Sequence, residues 1–278
     1  MITKTFRSLL DFIRYNASVM RCMRDPQLLK PNAAHRGEAR GEVYILYTGS
    51  SLKDKDLSWL AGKDLIATNL FCLSDQYNRL DVKHYSIIEP WNYRNLTFMS
   101  FFTDLIMLRR KTGSKPTLWL HASGHHYIGQ KQLHYEYFSE SLLRELNVRL
   151  IASRGDFASD SEVRDDLSQV SNVALGAMFF NVFLAMYLGY TKIYLLGADY
   201  TKTPMQIGHL YDNWQHAMSA EEVADIAGFD VLGQSGQRNR KMIEYAAARG
   251  VRIINVVDRG FNSPLFESVC YDELAGGY

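Results

Sequence analysis

Cysteine is scarce in this chain of 278 residues: Cys22, Cys72 and Cys270 are far apart, and no two stand in CxxC spacing. Three scattered thiols argue against a disulfide framework and against a structural zinc site, and suit inert buried side chains in a reducing compartment. Excess charge is missing too, since 31 Lys and Arg face 30 Asp and Glu for a net +1. Without a global basic field nucleic acid is not an expected partner, and any anion site must be local. No apolar run approaches the roughly 18 residues of a membrane span. Asp11 and Arg14 interrupt what would be the apolar stretch of a signal peptide, so we expect the chain to stay in the cytoplasm. Repeats and low-complexity tracts are absent as well.

What is present is an ordinary globular composition, 47% hydrophobic and 22% charged. A fold of this length buries enough surface to need no staple. The length suits two average domains or one large α/β domain. Aromatics reach 13%, with 17 Tyr, side chains suited to stacking on rings and donating to phosphates or sugars.

Residues 5–24 read as an amphipathic helix: Phe6, Leu9, Leu10, Ile13, Val19, Met20 and Met23 recur at helical spacing, with Arg7, Arg14, Arg21 and Arg24 among them. Such a helix can lie on an anionic membrane surface or dock its apolar side on its own domain, and docking is favoured. Residues 25–41, with Pro26, Pro31, Asn32, Gly37 and Gly41, read as a linker. The expected organisation is therefore a helix and linker over 1–41 and an α/β domain over 42–278.

Strands are expected at 43–47, 64–69, 85–88, 116–120, 148–151, 192–200 and 251–255. A small-residue turn and a helix start follow the first of them, and helices are expected at 96–111, 138–146, 172–188 and 237–249. Gly189 is the natural stop of the third. This alternation implies a Rossmann-like fold, a mostly parallel sheet with helices on both faces. Ligands of such sheets bind beyond the carboxyl ends of the strands near the topological switch point, which selects Thr48 to Ser51, Asn69, Glu89 and the residues from Asp199 onward. The polar and aromatic stretch 200–235 reads as a lid or binding loop over those ends.

Thr48-Gly49-Ser50-Ser51 offers hydroxyls and backbone N–H groups at a helix start, a geometry that accepts phosphate. It is neither a Walker motif nor GxGxxG. Asp54 and Asp56 have DxD spacing, but at the start of a helix acidic residues more often serve the dipole. Gly197-Ala198-Asp199-Tyr200 closes the most apolar strand, and His209, Tyr211, Asp212 and His216 follow. A carboxylate, phenols and imidazoles gathered past one strand end suit acid–base work and hydrogen bonds to a leaving phosphate. His121, His125, His126 and His134 lack a metal-ligand spacing.

The segments Tyr-Ile-Leu-Tyr-Thr-Gly-Ser-Ser-Leu-Lys-Asp and Ala-Thr-Asn-Leu-Phe resemble G-N-G-P-S-L-K and C-N-Q-F of the bacterial CMP-sialic-acid-dependent sialyltransferases and their lipopolysaccharide and capsule relatives. Leu-Gly-Tyr-Thr-Lys-Ile-Tyr-Leu-Leu-Gly-Ala-Asp-Tyr with the later His-Leu-Tyr, and Gly250-Val-Arg-Ile-Ile-Asn, resemble that group in the same order, across roughly residues 43–257. Where the family carries H-Y-I-G-H-S, this chain has Asp230-Val-Leu-Gly-Gln-Ser; where it carries Asn-Pro after the third strand, this chain has Glu89-Pro90. The group grades into hydroxymethylpterin diphosphokinase-like proteins.

The resemblance implies a GT-A-like single domain and an inverting, metal-independent transfer of an acidic sugar (sialic acid, another nonulosonate or Kdo) from a CMP donor to a cell-surface glycan. The implied donor-binding set is Thr48, Gly49, Ser50, Ser51, Asn69, Glu89, Asn172, Gly197 and Asp199. The catalytic candidates are His209, Asp230, Tyr211 and Tyr200, with His216 behind them as a base, and no metal ligand or cofactor is expected. Expected partners are the CMP-sugar, a glycan or glycolipid acceptor, further copies of the chain in a homo-oligomer, and the inner face of an anionic membrane through residues 5–24. A Mg-dependent diphosphokinase-like phosphotransferase and a non-catalytic nucleotide-binding protein are the alternatives.

Overall fold

A computed structural model describes residues 16–17, 19–88, 116–122, 147–174, 176–202, 210 and 234–276. Among these described residues nine strands form one sheet: β1 (Glu42–Leu46), β2 (Leu65–Thr68), β3 (His84–Ile87), β4 (Thr117–His121), β5 (Val148–Ser153), β6 (Val170–Ser171), β7 (Lys192–Leu196), β8 (Arg252–Val257) and β9 (Glu267–Cys270). Their order is β6-β5-β4-β3-β2-β1-β7-β8-β9. Every pairing is parallel. The chain steps outward from β1 to β6, then returns to the other side of β1 and steps outward again. The order thus reverses between β1 and β7, which run level, Leu46 opposite Leu196.

The seven expected strands are all there, because strands buried on both faces read as apolar runs, although the one expected at 192–200 ends at Leu196, where left-handed Gly197 turns the chain into the 3-10 turn Asp199–Thr201. Successive residues of β1 feed two cores. Val43, Ile45 and Tyr47 join one core with α1 (Ala177–Leu188) and α2 (Gln234–Ala247). Tyr44 and Leu46 join the other, which short 3-10 segments of residues 50–80 and α3 (Tyr271–Ala275) cover. Ten of the twelve residues of α1 are buried, so it is apolar on every side and lies inside the molecule. It ends as expected at Gly189, whose φ of +106° is left-handed. Gly189 N–H reaches Met186 O at 3.1 Å and Tyr190 N–H reaches Ala185 O at 3.1 Å, the paired bonds of a Schellman stop.

Four expectations need correction. No α-helix follows β1: Ser50–Leu52 and Ser58–Leu60 are single 3-10 turns. Asp56 serves no dipole there, since its carboxylate accepts from Ser58 N–H and Oγ, both at 2.9 Å, and closes a local turn. The helix assigned to 172–188 begins only at Ala177, and Asn172 instead bonds through its backbone N–H to Arg164 O and through its backbone O to Phe157 N–H. The helix expected from 237 begins at Gln234, within the stretch read as a lid or binding loop.

Residues 25–41 pack against the domain. Asn32 is fully buried and donates to Leu150 O and Leu167 O, both at 2.7 Å, while its own carbonyl accepts from Tyr187 Oη at 3.0 Å. Gly37 and Ala39 N–H groups bond to Tyr187 O and Leu188 O. Residues 16–17 and 19–24 are helical, and Val19 and Cys22 are buried, Cys22 in a cluster with Leu29, Ala122 and Ala152. Among the described residues no helix is long and apolar enough to cross a membrane. The helices assigned to 96–111 and 138–146 lie outside the described residues.

Candidate functional site at the strand switch

The strand order reverses between β1 and β7, and it is beyond the carboxyl ends of the strands at such a point that open α/β sheets take their ligands. The turns leaving these two strands meet there. Gly49 N–H donates to Gly197 O at 3.1 Å. A Cβ on Gly49 would stand 2.3 Å from Gly197 O and 2.5 Å from the Asp199 carboxyl, so no larger residue fits. Gly197 holds φ at +73°, and a Cβ on it would press Leu52 at 2.8 Å.

This close approach delivers Asp199 into the β1 turn. Its carboxylate accepts Ser51 N–H at 2.8 Å and Ser51 Oγ at 2.5 Å, with Ser50 Oγ at 3.5 Å. A turn expected to accept an anion does accept one, but the anion is internal. Lys202 completes the arrangement: its ammonium donates to Asp199 Oδ1 at 2.8 Å and to Ser51 Oγ at 2.9 Å. Both side chains of this ion pair are almost wholly buried, 2% and 1% exposed. Such a pair holds geometry well, because losing either partner strands a buried charge.

The backbone of the β7 turn is held from below. Thr201 Oγ1 donates to Ala198 O at 2.6 Å and accepts from Asn255 Nδ2 at 2.7 Å, while Ser263 Oγ donates to Thr201 O at 2.8 Å. Thr48, Ser50, Ser51 and Tyr200 on these two turns are all half-buried. Leu210 N–H donates to Thr48 O at 2.9 Å, which fixes at the β1 end the residue that stands between His209 and Tyr211 in sequence.

At the neighbouring strand end Asn69 adopts φ +49°, the only left-handed non-glycine among the described residues. Tyr85 Oη donates to Asn69 O at 2.6 Å and accepts Cys72 N–H at 2.9 Å, which pins the turn in that form. Ser86 Oγ lies 2.9 Å from Thr68 Oγ1 and 2.7 Å from Asn181 Oδ1, a buried polar ladder joining β2, β3 and the first turns of α1. His121, at the end of β4, is buried, and burial pulls its imidazole down to about 4, which leaves it neutral at ordinary pH.

The expected donor set is thus partly assembled. Thr48, Gly49, Ser50, Ser51, Gly197 and Asp199 come together where the β1 and β7 turns meet, and Asn69 stands one strand end away. Asn172 does not join them. Its amide donates to Asp160 Oδ2 and Glu162 O and accepts Arg164 N–H, all at 2.9 Å, so a fully buried side chain is engaged in holding the loop before α1. Glu89, His209, Tyr211, His216 and Asp230 lie outside the described residues. Lys202 escaped sequence reading because an isolated lysine normally belongs to the solvent. The signal that could have found it is its place three residues after Asp199, on the turn that leaves the most apolar strand.

No family model matches the chain, and no curated protein matches it. Two solved structures are similar to it. One is the sialyltransferase CstII from Campylobacter jejuni in complex with the substrate analogue cytidine-5′-monophosphate, at 16% identity and a TM-score of 0.41 over 77% of this chain and 79% of that one. The other is a variant of sialyltransferase CST-II in complex with CMP, at 16% identity and 0.41 over 76% and 80%.

Proposed function

We propose that the chain is a glycosyltransferase that moves an acidic sugar (sialic acid, another nonulosonate or Kdo) from a CMP donor to a cell-surface glycan or glycolipid, with inversion and without a metal. The observation that carries this reading is the hydroxyl-bearing β1 turn, set against the β7 turn where the strand order reverses. It presents half-buried Thr48, Ser50 and Ser51, on a backbone held by the Asp199–Lys202 pair. The ordered sequence resemblance across 43–257 points to the same chemistry.

In this reading the donor phosphate meets the Thr48–Ser51 turn, and Asn69 contacts the donor from the adjacent strand end. The acceptor oxygen bonds to the anomeric carbon as the bond from that carbon to the CMP phosphate oxygen breaks. The acceptor proton passes to a base, and hydrogen-bond donors meet the charge growing on the departing CMP. Tyr200 and Tyr211 are the phenols suited to that last task. His209 is the favoured base, with Asp230 and His216 as its competitors. Residues 5–24 add contact with anionic lipid, where membrane-borne acceptors reside. The protein works in the cytoplasm as a homo-oligomer.

Calorimetric titration with CMP, CDP and ATP, in EDTA and again with Mg²⁺, tests the proposal. CMP should bind in EDTA. Binding confined to ATP with Mg²⁺ would instead favour the phosphotransferase alternative.

A further inference from the structure

We infer that Lys202 is the charge-balancing residue that allows the β1 turn to take a nucleotide phosphate. This rests on the donor reading above and deepens it. The turn that would hold the phosphate already holds a carboxylate: Asp199 Oδ2 accepts Ser51 N–H and Oδ1 accepts Ser51 Oγ. A phosphate that meets the turn at Ser50 would stand one residue from that full negative charge, beside buried strand ends. At an effective dielectric of about 20, two such anions about 6 Å apart would oppose binding by far more than a tenfold change in affinity.

Lys202 removes that opposition. Its ammonium is held on Asp199 Oδ1 and Ser51 Oγ, and its side chain is 2% exposed, so its charge is fixed in the turn and not shared with solvent. The short segment Asp199–Thr201 sets the two residues i,i+3 on one turn, so the pair forms within a single local structure. Ser51 Oγ gives its proton to Asp199 and accepts from Lys202, which makes serine and lysine one unit. Two of the three ammonium donors are thereby in use within the turn itself. Lys202 is a positioning residue in this account: it acts on the phosphate through the charge and shape of the turn.

The readout is the ratio of affinities for CMP and for cytidine, which differ only in the phosphate. A role confined to folding would weaken both ligands alike and leave the ratio unmoved. In the full-length protein Lys202→Met should lower the CMP preference on the order of tenfold or more. Asp199→Asn, which keeps the shape and removes the negative charge, should hold the preference or raise it. The double variant Asp199→Asn, Lys202→Met, neutral at both positions, should recover most of what the single lysine variant loses. Should Lys202→Met not fold, Asp199→Asn and the double variant still decide, since the inference requires the ratio to survive in both.

An unchanged ratio in Lys202→Met, or an equal loss in Asp199→Asn, overturns the inference while the donor reading stands. A wild-type protein with no preference for CMP over cytidine overturns the donor reading, and this inference with it.

Discussion

Asp199 is a side chain whose surroundings decide its work. Its carboxylate accepts from the backbone and hydroxyl of Ser51 and pairs with Lys202, so it shapes the β1 turn. Gly49 is what lets the two turns come so close. Its φ is an ordinary −62°, so the need for glycine is space alone. Because a Cβ would meet a carbonyl oxygen of the backbone at 2.3 Å, Gly49→Ala should destabilise the protein by about 1–3 kcal/mol, read as a lower urea midpoint. A midpoint equal to wild type would mean that the β7 turn can move away freely. The base is a separate question. An imidazole has an ordinary pKa of about 6.5, close to working pH, whereas a carboxylate needs burial to match it. His209→Ala should therefore cost about 10²–10⁴-fold in kcat and leave CMP binding intact. Near-normal turnover in that variant, together with abolished turnover in Asp230→Asn, would move the assignment to Asp230.

Among the elements, the segment 25–41 shows how polar bonds can dock a chain that carries little apolar surface of its own. Asn32 donates to carbonyls of two separate segments, at Leu150 and Leu167, and both lie more than a hundred residues away. Asn32→Ala would leave these carbonyls without that donor, at roughly 1–3 kcal/mol for each that stays unsatisfied. We expect trypsin to cleave such a variant at Arg36 and Arg40 well before wild type, in timed digests followed by mass spectrometry. Equal cleavage would show that Leu29 and the bonds to Tyr187 and Leu188 suffice. The elements legible in the sequence were those whose burial leaves a compositional trace. The run Lys192–Leu196 is buried on both faces and reads as a strand at sight. The missed strands leave no such trace: Val170–Ser171 has two residues, and Glu267–Cys270 is a partly exposed edge. The helix placed after β1 failed because Asp56 bonds to its own neighbour, Ser58, a choice that charge patterning does not reveal. At the site the strand ends could be read from alternation alone. The ion pair with Lys202 could not, since nothing in a composition says that a lysine will be buried.

Across the whole molecule, parallel strands sort chemistry by end. The carboxyl ends of β1 and β7 carry the candidate site, while the amino end of β3 carries His84, remote from it. His84 is buried and accepts Trp119 Nε1–H on Nδ1 at 3.3 Å, which requires the neutral ring. Its Nε2 lies 3.7 Å from Glu38 Oε1. Burial, with the charges of His35 and Lys83 and against that of Asp64, pulls its pKa down to about 4, and burial does the same to His121. An unfolded chain would bind protons at both sites near the ordinary value of about 6.5, so between that pH and 4 the unfolded state holds more protons than the native one. Stability is therefore complete above about pH 6.5 and is lost as the pH falls toward 4. By pH 5 each imidazole should have removed about 2 kcal/mol. Carboxylates held low by their bonds, such as Asp160 and Asp166, add their loss only in stronger acid. Urea unfolding at pH 7.5 and 5.0 should show this fall, and His84→Gln should remove about half of it, because the variant no longer offers a ring to protonate. A fall of equal size in wild type and His84→Gln would place the acid sensitivity elsewhere. CMP affinity in the folded protein should be indifferent to the His84 substitution at pH 7.5, since that imidazole sits at the opposite end of the sheet from the Asp199 turn.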